Sequence, residues 1–134
     1  MRLSPNFLLD EFISKDGVYP DDVQLSNLYR LTDALEVVRS KIGVPISINS
    51  GFRSQAHNES IGGVKDSQHT KGKAADLRTS LSPLDLYNII DDLMQKGLIP
   101  VGGLGLYDTF VHYDIRGVHA RWDNRTVKKK VGWI

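Results

Sequence analysis

A stripe of apolar residues at helical spacing in the first third of the chain constrains the fold most. Apolar side chains recur at steps of three and four residues at Leu25, Leu28, Leu31, Leu35, Val38 and Ile42. This spacing predicts an amphipathic helix over Asp21–Ile42. Gly43 ends it, and Pro45 prevents its continuation. A helix with one apolar face must be buried against a second layer of structure.

The remaining regular patterns are short. Four segments have the composition or alternation of strands: Pro45–Asn49, Ala74–Thr79, Gly102–Tyr107 and Phe110–Arg116. Between the second and third, Ser82 is suited to cap a helix, Pro83 to begin it and Asp85 to complete a capping box. We expect this second helix to end at Gly97. The last two strands predict a hairpin.

The order of these elements predicts an α+β domain in which a small antiparallel sheet carries the functional residues and packs with two main helices. Gln55–Lys73 has no sustained period and reads as a long irregular stretch, which in a small domain is often functional. Neither a repeat nor a linker divides the chain. We therefore expect residues 1–134 to form a single domain, and a monomer.

Composition limits the chemistry of any site. The chain contains no cysteine, so a metal would have to be held by imidazole and carboxylate groups. The net charge of +1 argues against a general binder of nucleic acid, although the segment from Arg116 to Lys130 is locally basic. Lys128, Lys129 and Lys130 within it are typical of a solvated tail.

Neither a secretory signal nor a spanning helix is predicted, because the opening MRLSPNFLLDEF lacks an unbroken apolar core. We expect no membrane insertion and synthesis in the cytoplasm. A substrate outside the cytoplasm would then be reached after release or export, as with phage lysis enzymes.

The run SQHTKGKAAD holds two candidate metal ligands, His69 and Asp76, with Gly72 between them to let the chain bend. A third candidate, His112, lies in FVHYDIR, where alternation sets it on one strand face with Asp114. Two imidazoles, one carboxylate and an open fourth position form a recurrent catalytic zinc geometry.

Several motifs together carry a family resemblance. The runs SGFRSQAHNESIGGVKDSQHTKGKAAD and GLGLYDTFVHYDIRG, then ARW, resemble the zinc D-alanyl-D-alanine carboxypeptidase and L-alanyl-D-glutamate endopeptidase family of peptidoglycan peptidases. NFLLDEF is similar to the opening of its short phage and bacterial members. The resemblance implies a hedgehog/D-Ala-D-Ala peptidase-like fold. It also implies a Zn²⁺ ion held by His69, Asp76 and His112.

The resemblance assigns roles to two further residues. Arg53 matches the family's arginine, which can hold a substrate carbonyl or carboxylate and stabilise developing charge. Ser67 matches a serine that contacts substrate beside the metal.

The chain differs from the family pattern at the position of the general base. Many carboxypeptidase members have an acid three residues before the late histidine, and this chain has Thr109 there. Asp114 is the first choice for a catalytic base, with Asp108 second. Asp114 could alternatively orient a metal-bound histidine.

The leading hypothesis is a zinc metallopeptidase that cuts stem peptides of peptidoglycan in cell-wall lysis or remodelling, as an endolysin does. The bond is either D-Ala-D-Ala or L-Ala-D-Glu. The first alternative is a noncatalytic zinc-containing binding or structural module of a phage or prophage. The second is an adaptor that grips nucleic acid or another phage protein through the basic segment.

Overall fold

The structure, a computed structural model, describes residues 1–126. Lys128, Lys129, Lys130 and Trp133 lie outside the described residues. The elements are β1 (Arg2–Ser4), β2 (Phe7–Leu8), α1 (Asp22–Ile42), β3 (Ser47–Ser50), α2 (Gln55–Ser60), β4 (Ala74–Arg78), α3 (Pro83–Gln95), β5 (Gly103–Leu106), β6 (Val111–Asp114) and β7 (Ala120–Asp123). Short 3-10 turns span Leu9–Glu11 and Gln68–Lys71.

Helix α1 confirms the helix predicted from the apolar stripe. Asp21 caps its first turn through a capping box, because its side chain accepts from the Gln24 amide and the Gln24 side chain accepts from the Asp21 amide. Gly43, at a φ of 72°, ends the helix in the left-handed region. The core face of α1 is buried at Leu28, Leu31, Ala34, Leu35 and Val38.

The predicted α+β class is also confirmed. Five strands form one sheet in the order β3-β4-β6-β5-β7, and all neighbours are antiparallel except the β5 and β7 pair. The sheet buries one face in the same hydrophobic cluster as α1 and α3, through Leu77, Leu104, Leu106, Val111 and Tyr113. The predicted β5–β6 hairpin is present. The parallel return of β7 had no sequence signal.

The stretch predicted to be irregular, Gln55–Lys73, contains helix α2 and the 3-10 turn at Gln68–Lys71. Each is a short element begun by a serine: Ser54 accepts from the His57 amide, and Ser67 from the His69 amide. Elements of four to six residues are too short to develop a hydrophobic period, which explains why the sequence pattern missed them.

Helix α3 begins where the sequence predicted. Ser82 accepts from the Asp85 amide and Pro83 occupies the first turn. Leu86, Ile90, Leu93 and Met94 are buried on its inner face. Over the described residues, none of the helices has the length and hydropathy required to cross a membrane.

Helix α1 holds the segment that precedes β4. The Gln24 side chain donates to the Thr70 carbonyl at 3.1 Å, and the Asn27 side chain donates to the Lys71 carbonyl at 2.9 Å. Gly72 follows with a φ of 73°, and a Cβ there would collide with the Gln24 carbonyl oxygen. The chain therefore reverses against α1 only with glycine at this position.

Replacing Gly72 by alanine should destabilise the protein for two reasons. The left-handed backbone costs about 1–2 kcal/mol with a Cβ, and the clash with α1 adds about 1–3 kcal/mol. Gly43→Ala is the matched control, because Gly43 has nearly the same φ but open space around its Cβ direction. Urea unfolding should give a larger loss for Gly72→Ala, and equal losses would contradict a close contact with α1.

Candidate functional site

The polar face of the sheet carries one row of residues that crosses all five strands. In register, Ser50 of β3 pairs with Asp76 of β4, Asp76 with His112 of β6, His112 with Gly105 of β5, and Gly105 with Trp122 of β7. Alternation sends these side chains to the face opposite the core. The sheet register alone thus brings together two of the three predicted metal ligands.

His69 reaches this row from the 3-10 turn that precedes β4. Its Nδ1 lies 2.8 Å from the Gly51 carbonyl oxygen, which can only accept, so Nδ1 carries a proton. Its Nε2 lies 3.3 Å from Oδ1 of Asp76. The carbonyl therefore leaves Nε2 as the free ligand atom, facing Asp76.

The three predicted ligands form one buried cluster. Donor atoms of His69, Asp76 and His112 all lie within 4.8 Å of one another, and Nδ1 of His112 is 3.1 Å from Oδ1 of Asp76. Burial alone would raise the pKa of Asp76, but its interactions with the His112 and His69 imidazoles outweigh burial and hold that pKa well below its ordinary value. The carboxylate is therefore charged at neutral pH.

This arrangement fits a zinc ion. Zinc bound tetrahedrally by nitrogen and oxygen separates its ligand atoms by roughly 3.3 Å, close to the 3.1 and 3.3 Å distances between the Asp76 oxygen and the two imidazoles. The donor set is also one that zinc prefers, two imidazoles with one carboxylate.

Asp114 lies behind His112 rather than beside the ligand cluster. It is fully buried, and its Oδ2 is 2.7 Å from Nε2 of His112, the ring nitrogen that points away from Asp76. It also accepts from the Gly103 amide and from the amide, Nε and NH2 of Arg116. Burial alone would raise the pKa of Asp114. The hydrogen bonds, chiefly those with His112 and Arg116, outweigh burial and lower this pKa.

The two carboxylates have a joint effect on His112. Desolvation would lower the pKa of the imidazole, but hydrogen bonds to Asp114 and Asp76 reverse that effect and raise it. Asp114 also fixes Nε2 as a proton donor, which leaves Nδ1 to face the cluster. A carboxylate in this position commonly orients a metal-binding histidine.

Arg53 lies at the other end of the cluster. Its NH2 is 3.3 Å from Oδ2 of Asp76, its Nε donates to the Ser50 hydroxyl, and its NH1 donates to the Asn58 side chain at 3.2 Å. Burial lowers the pKa of Arg53 and Asp76 opposes that effect, but a guanidinium stays charged at any physiological pH.

The cluster forms the floor of a cavity of about 570 Å³. Its described lining comprises Arg53, Gly62, Gly63, Val64, Ser67, Gln68, His69, Asp76, Tyr107, Phe110, His112, Arg116, Trp122 and Asn124. Tyr107 and Phe110 stack at 4.3 Å, and the indole of Trp122 lies 5.0 Å from the His112 ring. A Cβ on Gly105 would collide with that indole, so glycine there leaves room for it.

Comparison with known proteins identifies the family. Residues 5–114 match the peptidase M15 family. The chain belongs to this peptidase family. It is also similar to the zinc D-Ala-D-Ala carboxypeptidase of Streptomyces albus G, with 46% identity over 44 residues. That match covers 32% of this chain and 17% of the relative, so the chain spans about a sixth of the relative's length. The resemblance inferred from the motifs is confirmed.

The M15 chain brings together most of the residues predicted from sequence. Arg53, Ser67, His69, Asp76 and His112 all line the cavity. Ser67 also stabilises the local fold, because its hydroxyl accepts a hydrogen bond from the His69 amide at 3.2 Å.

Two other candidates, Asp114 and Asp108, are absent from the described lining of the cavity. Asp114 is behind His112, as described above. Asp108 accepts from the amide and hydroxyl of Thr126.

The basic segment is partly neutralised in the described residues. Arg121 pairs with Asp91 at 2.9 Å, and Arg125 pairs with Asp123 at 2.7 Å. Arg116 pairs with Asp114 at 2.7 Å. These ion pairs weaken the case for a polyanion-binding surface in this part of the chain.

Sequence reasoning missed two residues of the site. Asn58 is buried and links Arg53 to the loop above the cavity, because its amide donates to the Val64 carbonyl at 2.9 Å. A single asparagine in a stretch read as irregular gives no signal. For Arg116 the sequence did carry a signal. It continues the alternation of Phe110, His112 and Asp114, which sets it on the same strand face.

Replacing Asp114 by asparagine should lower stability and change its dependence on pH. At pH 7 the loss should be about 3 kcal/mol, because the buried ion pair with Arg116 is broken. A carboxyl with a lowered pKa stabilises the fold above its unfolded pKa of about 3.9 and loses that effect as pH falls. The gap between wild type and variant should therefore narrow from pH 5 to pH 3.

Urea unfolding of chelator-treated protein at several pH values measures this gap. Asp33→Asn on the exposed face of α1 is the matched control and should show neither effect. A gap that stays constant down to pH 3 would contradict the role assigned to the Asp114 charge.

Proposed function

We propose that this M15 family member hydrolyses a peptide bond in the stem peptides of peptidoglycan, using a zinc ion held by His69, Asp76 and His112. The observation that carries the proposal is the convergence of these three buried ligands on the floor of an open cavity. The family and the named zinc carboxypeptidase relative support the same chemistry.

In this proposal Nε2 of His69, a carboxylate oxygen of Asp76 and Nδ1 of His112 hold the metal. A zinc ion there would act as a Lewis acid and lower the pKa of a water molecule to about 7. Gly51 and Asp114 keep the two imidazoles in the required orientation through their other ring nitrogens. The site is thus preorganised by the chain itself.

Arg53 is proposed to bind the carbonyl oxygen of the substrate and to stabilise the negative charge that develops as water attacks. Its guanidinium is held by Ser50, Asn58 and Asp76, so little side-chain freedom is lost when substrate binds. Ser67 lines the same cavity and is proposed to contact substrate there.

Proton transfer by Asp114 stays a prediction, and its contacts favour the orienting role. Its carboxylate accepts from His112, Arg116 and the Gly103 amide, and it does not line the cavity. Asp108 is occupied by Thr126. Among the described lining residues, Asp76 is the one carboxylate.

The bond cut is either D-Ala-D-Ala at the peptide's end or L-Ala-D-Glu within it. Either activity would serve cell-wall lysis, as in an endolysin, or remodelling. We also propose that residues 1–134 act as one domain, which the single hydrophobic cluster of the described residues supports, and that the protein is a monomer.

Replacing His69 by alanine should abolish both zinc binding and hydrolysis, because two ligands cannot hold a tight zinc site. His119→Ala is the matched control, since His119 is exposed and outside the described cavity lining. Zinc per chain, measured by inductively coupled plasma mass spectrometry, should fall from one to near zero in the first variant alone. Full zinc content in His69→Ala would refute the ligand assignment.

Digestion of purified muropeptides tests the activity and identifies the bond. Mass spectrometry should detect loss of one alanine for D-Ala-D-Ala cleavage, or release of the peptide from L-alanine for L-Ala-D-Glu cleavage. A chelator should stop the reaction, and added zinc should restore it.

The alternative function, a noncatalytic zinc-containing module, is favoured by the scarcity of carboxylates in the described lining. It predicts one zinc per chain and unchanged muropeptides. The same digestion therefore separates the two functions.

A further inference from the structure

Arg116 is a second arginine of the cavity that the proposed mechanism leaves unused. Its Nε donates to Oδ1 of Asp114 at 2.9 Å and its NH2 to Oδ2 at 2.7 Å. Its guanidinium carbon lies 5.6 Å from the centre of the Trp122 ring, within range of a cation–π contact. The charge is therefore held in a fixed place at the cavity wall.

Arg116 still has an N–H group that can donate a hydrogen bond to a ligand in the cavity. NH1 has no hydrogen-bond partner among the described residues, and 28% of the side chain is exposed. By contrast, NH1 of Arg121 donates to the Gly102 and Ala120 carbonyls. Arg121 is thus used by the fold, whereas Arg116 is available to a ligand.

With a divalent ion at the ligand cluster, the cavity would carry net positive charge and favour an anionic ligand, because Arg53 and Arg116 are each already paired with one aspartate. Its described lining includes two arginines, Arg53 and Arg116, and a single carboxylate, Asp76. Any divalent ion at the ligand cluster would add positive charge. Arg53 contacts Asp76, whereas Arg116 contacts Asp114 behind His112, so the two guanidinium groups flank the cluster.

We propose that Arg116 binds a free carboxylate of the substrate, on the carbon attached to the scissile nitrogen, and so determines which peptide bonds are accepted. The inference rests on the proposed function. Both candidate bonds carry such a carboxylate: the terminal one of D-Ala-D-Ala, and the α-carboxylate of D-Glu when its chain continues through the side-chain carbonyl. The NH1 group, which Asp114 leaves unpaired, can donate a charge-assisted hydrogen bond to this carboxylate.

The test uses peptides that differ in this group alone. One pair ends in D-Ala-D-Ala, with a terminal carboxylate or its carboxamide, and the other contains L-Ala-D-Glu with a free or amidated α-carboxyl. For the bond that is cut, the acid should have a kcat/KM roughly 10- to 100-fold above that of its amide, the range expected of a charge-assisted hydrogen bond. Arg116→Gln should bring this ratio near one, chiefly through the KM of the acid.

Arg125→Gln is the matched control. Arg125 bonds Asp123 two residues before it through Nε and NH2, as Arg116 bonds Asp114, but it is absent from the described lining. The Arg125→Gln variant should keep the wild-type ratio of kcat/KM between acid and amide. Arg116→Lys, which retains the charge, should give an intermediate ratio and serves if Arg116→Gln does not fold.

A binding measurement gives a second readout that does not depend on turnover. In chelator-treated protein carrying Trp133→Phe, the indole N–H signal of Trp122 is followed by NMR during addition of N-acetyl-D-alanine or its carboxamide. The acid should shift this signal at concentrations at least several-fold lower than the amide, and Arg116→Gln should remove that difference. Equal effects of the acid and the amide on wild type would overturn the proposal.

The outcomes separate the two proposals. If no muropeptide is cut by zinc-loaded protein, the proposed function fails, and the binding measurement still tests Arg116. If peptides are cut but acid and amide forms react alike, the carboxylate assignment fails while the function stands. If Arg53→Gln rather than Arg116→Gln removes the preference for the acid over the amide, Arg53 binds the carboxylate and the inference is overturned.

Discussion

The antiparallel register between β4 and β6 is the constraint on which the site depends. It sets Asp76 directly opposite His112, and a slip of one residue would turn His112 toward the core. The same strands bury Leu77, Val111 and Tyr113 on their other face. Burial of apolar surface on one side of the sheet therefore keeps the two polar side chains aligned on the other.

Much of this arrangement could be predicted because its signals are local. The helix over Asp22–Ile42 follows from the spacing of its leucines, and the neighbourhood of His112 and Asp114 follows from strand alternation. The bend between His69 and Asp76 was expected at Gly72, and the left-handed backbone there agrees. Periodicity and glycine placement are properties of a few adjacent residues, so a single sequence carries them.

The remaining features depend on contacts between distant segments. The Gly51 carbonyl that fixes His69 and the α1 side chains that hold the loop before β4 are brought there by the tertiary fold. The parallel return of β7, which adds Trp122 to the cavity wall, has no periodic pattern of its own. Asn58 joins Arg53 to the Val64 carbonyl by contacts that spacing does not encode. The metal ligands could be predicted from the order of the motifs. The groups that orient those ligands were identified from the structure.

The glycines of the Gly102–Gly105 segment make strand β5 dependent on its neighbours. Side chains at Gly102, Gly103 and Gly105 would collide with Asp114 or Trp122, so the neighbours require this composition. Glycine also weakens a strand's intrinsic preference for extended structure. Strand β5 therefore gains its conformation from β6 and β7 on either side. The cavity wall formed by Trp122 thus depends on the pairing of a strand that has little preference of its own for extended structure.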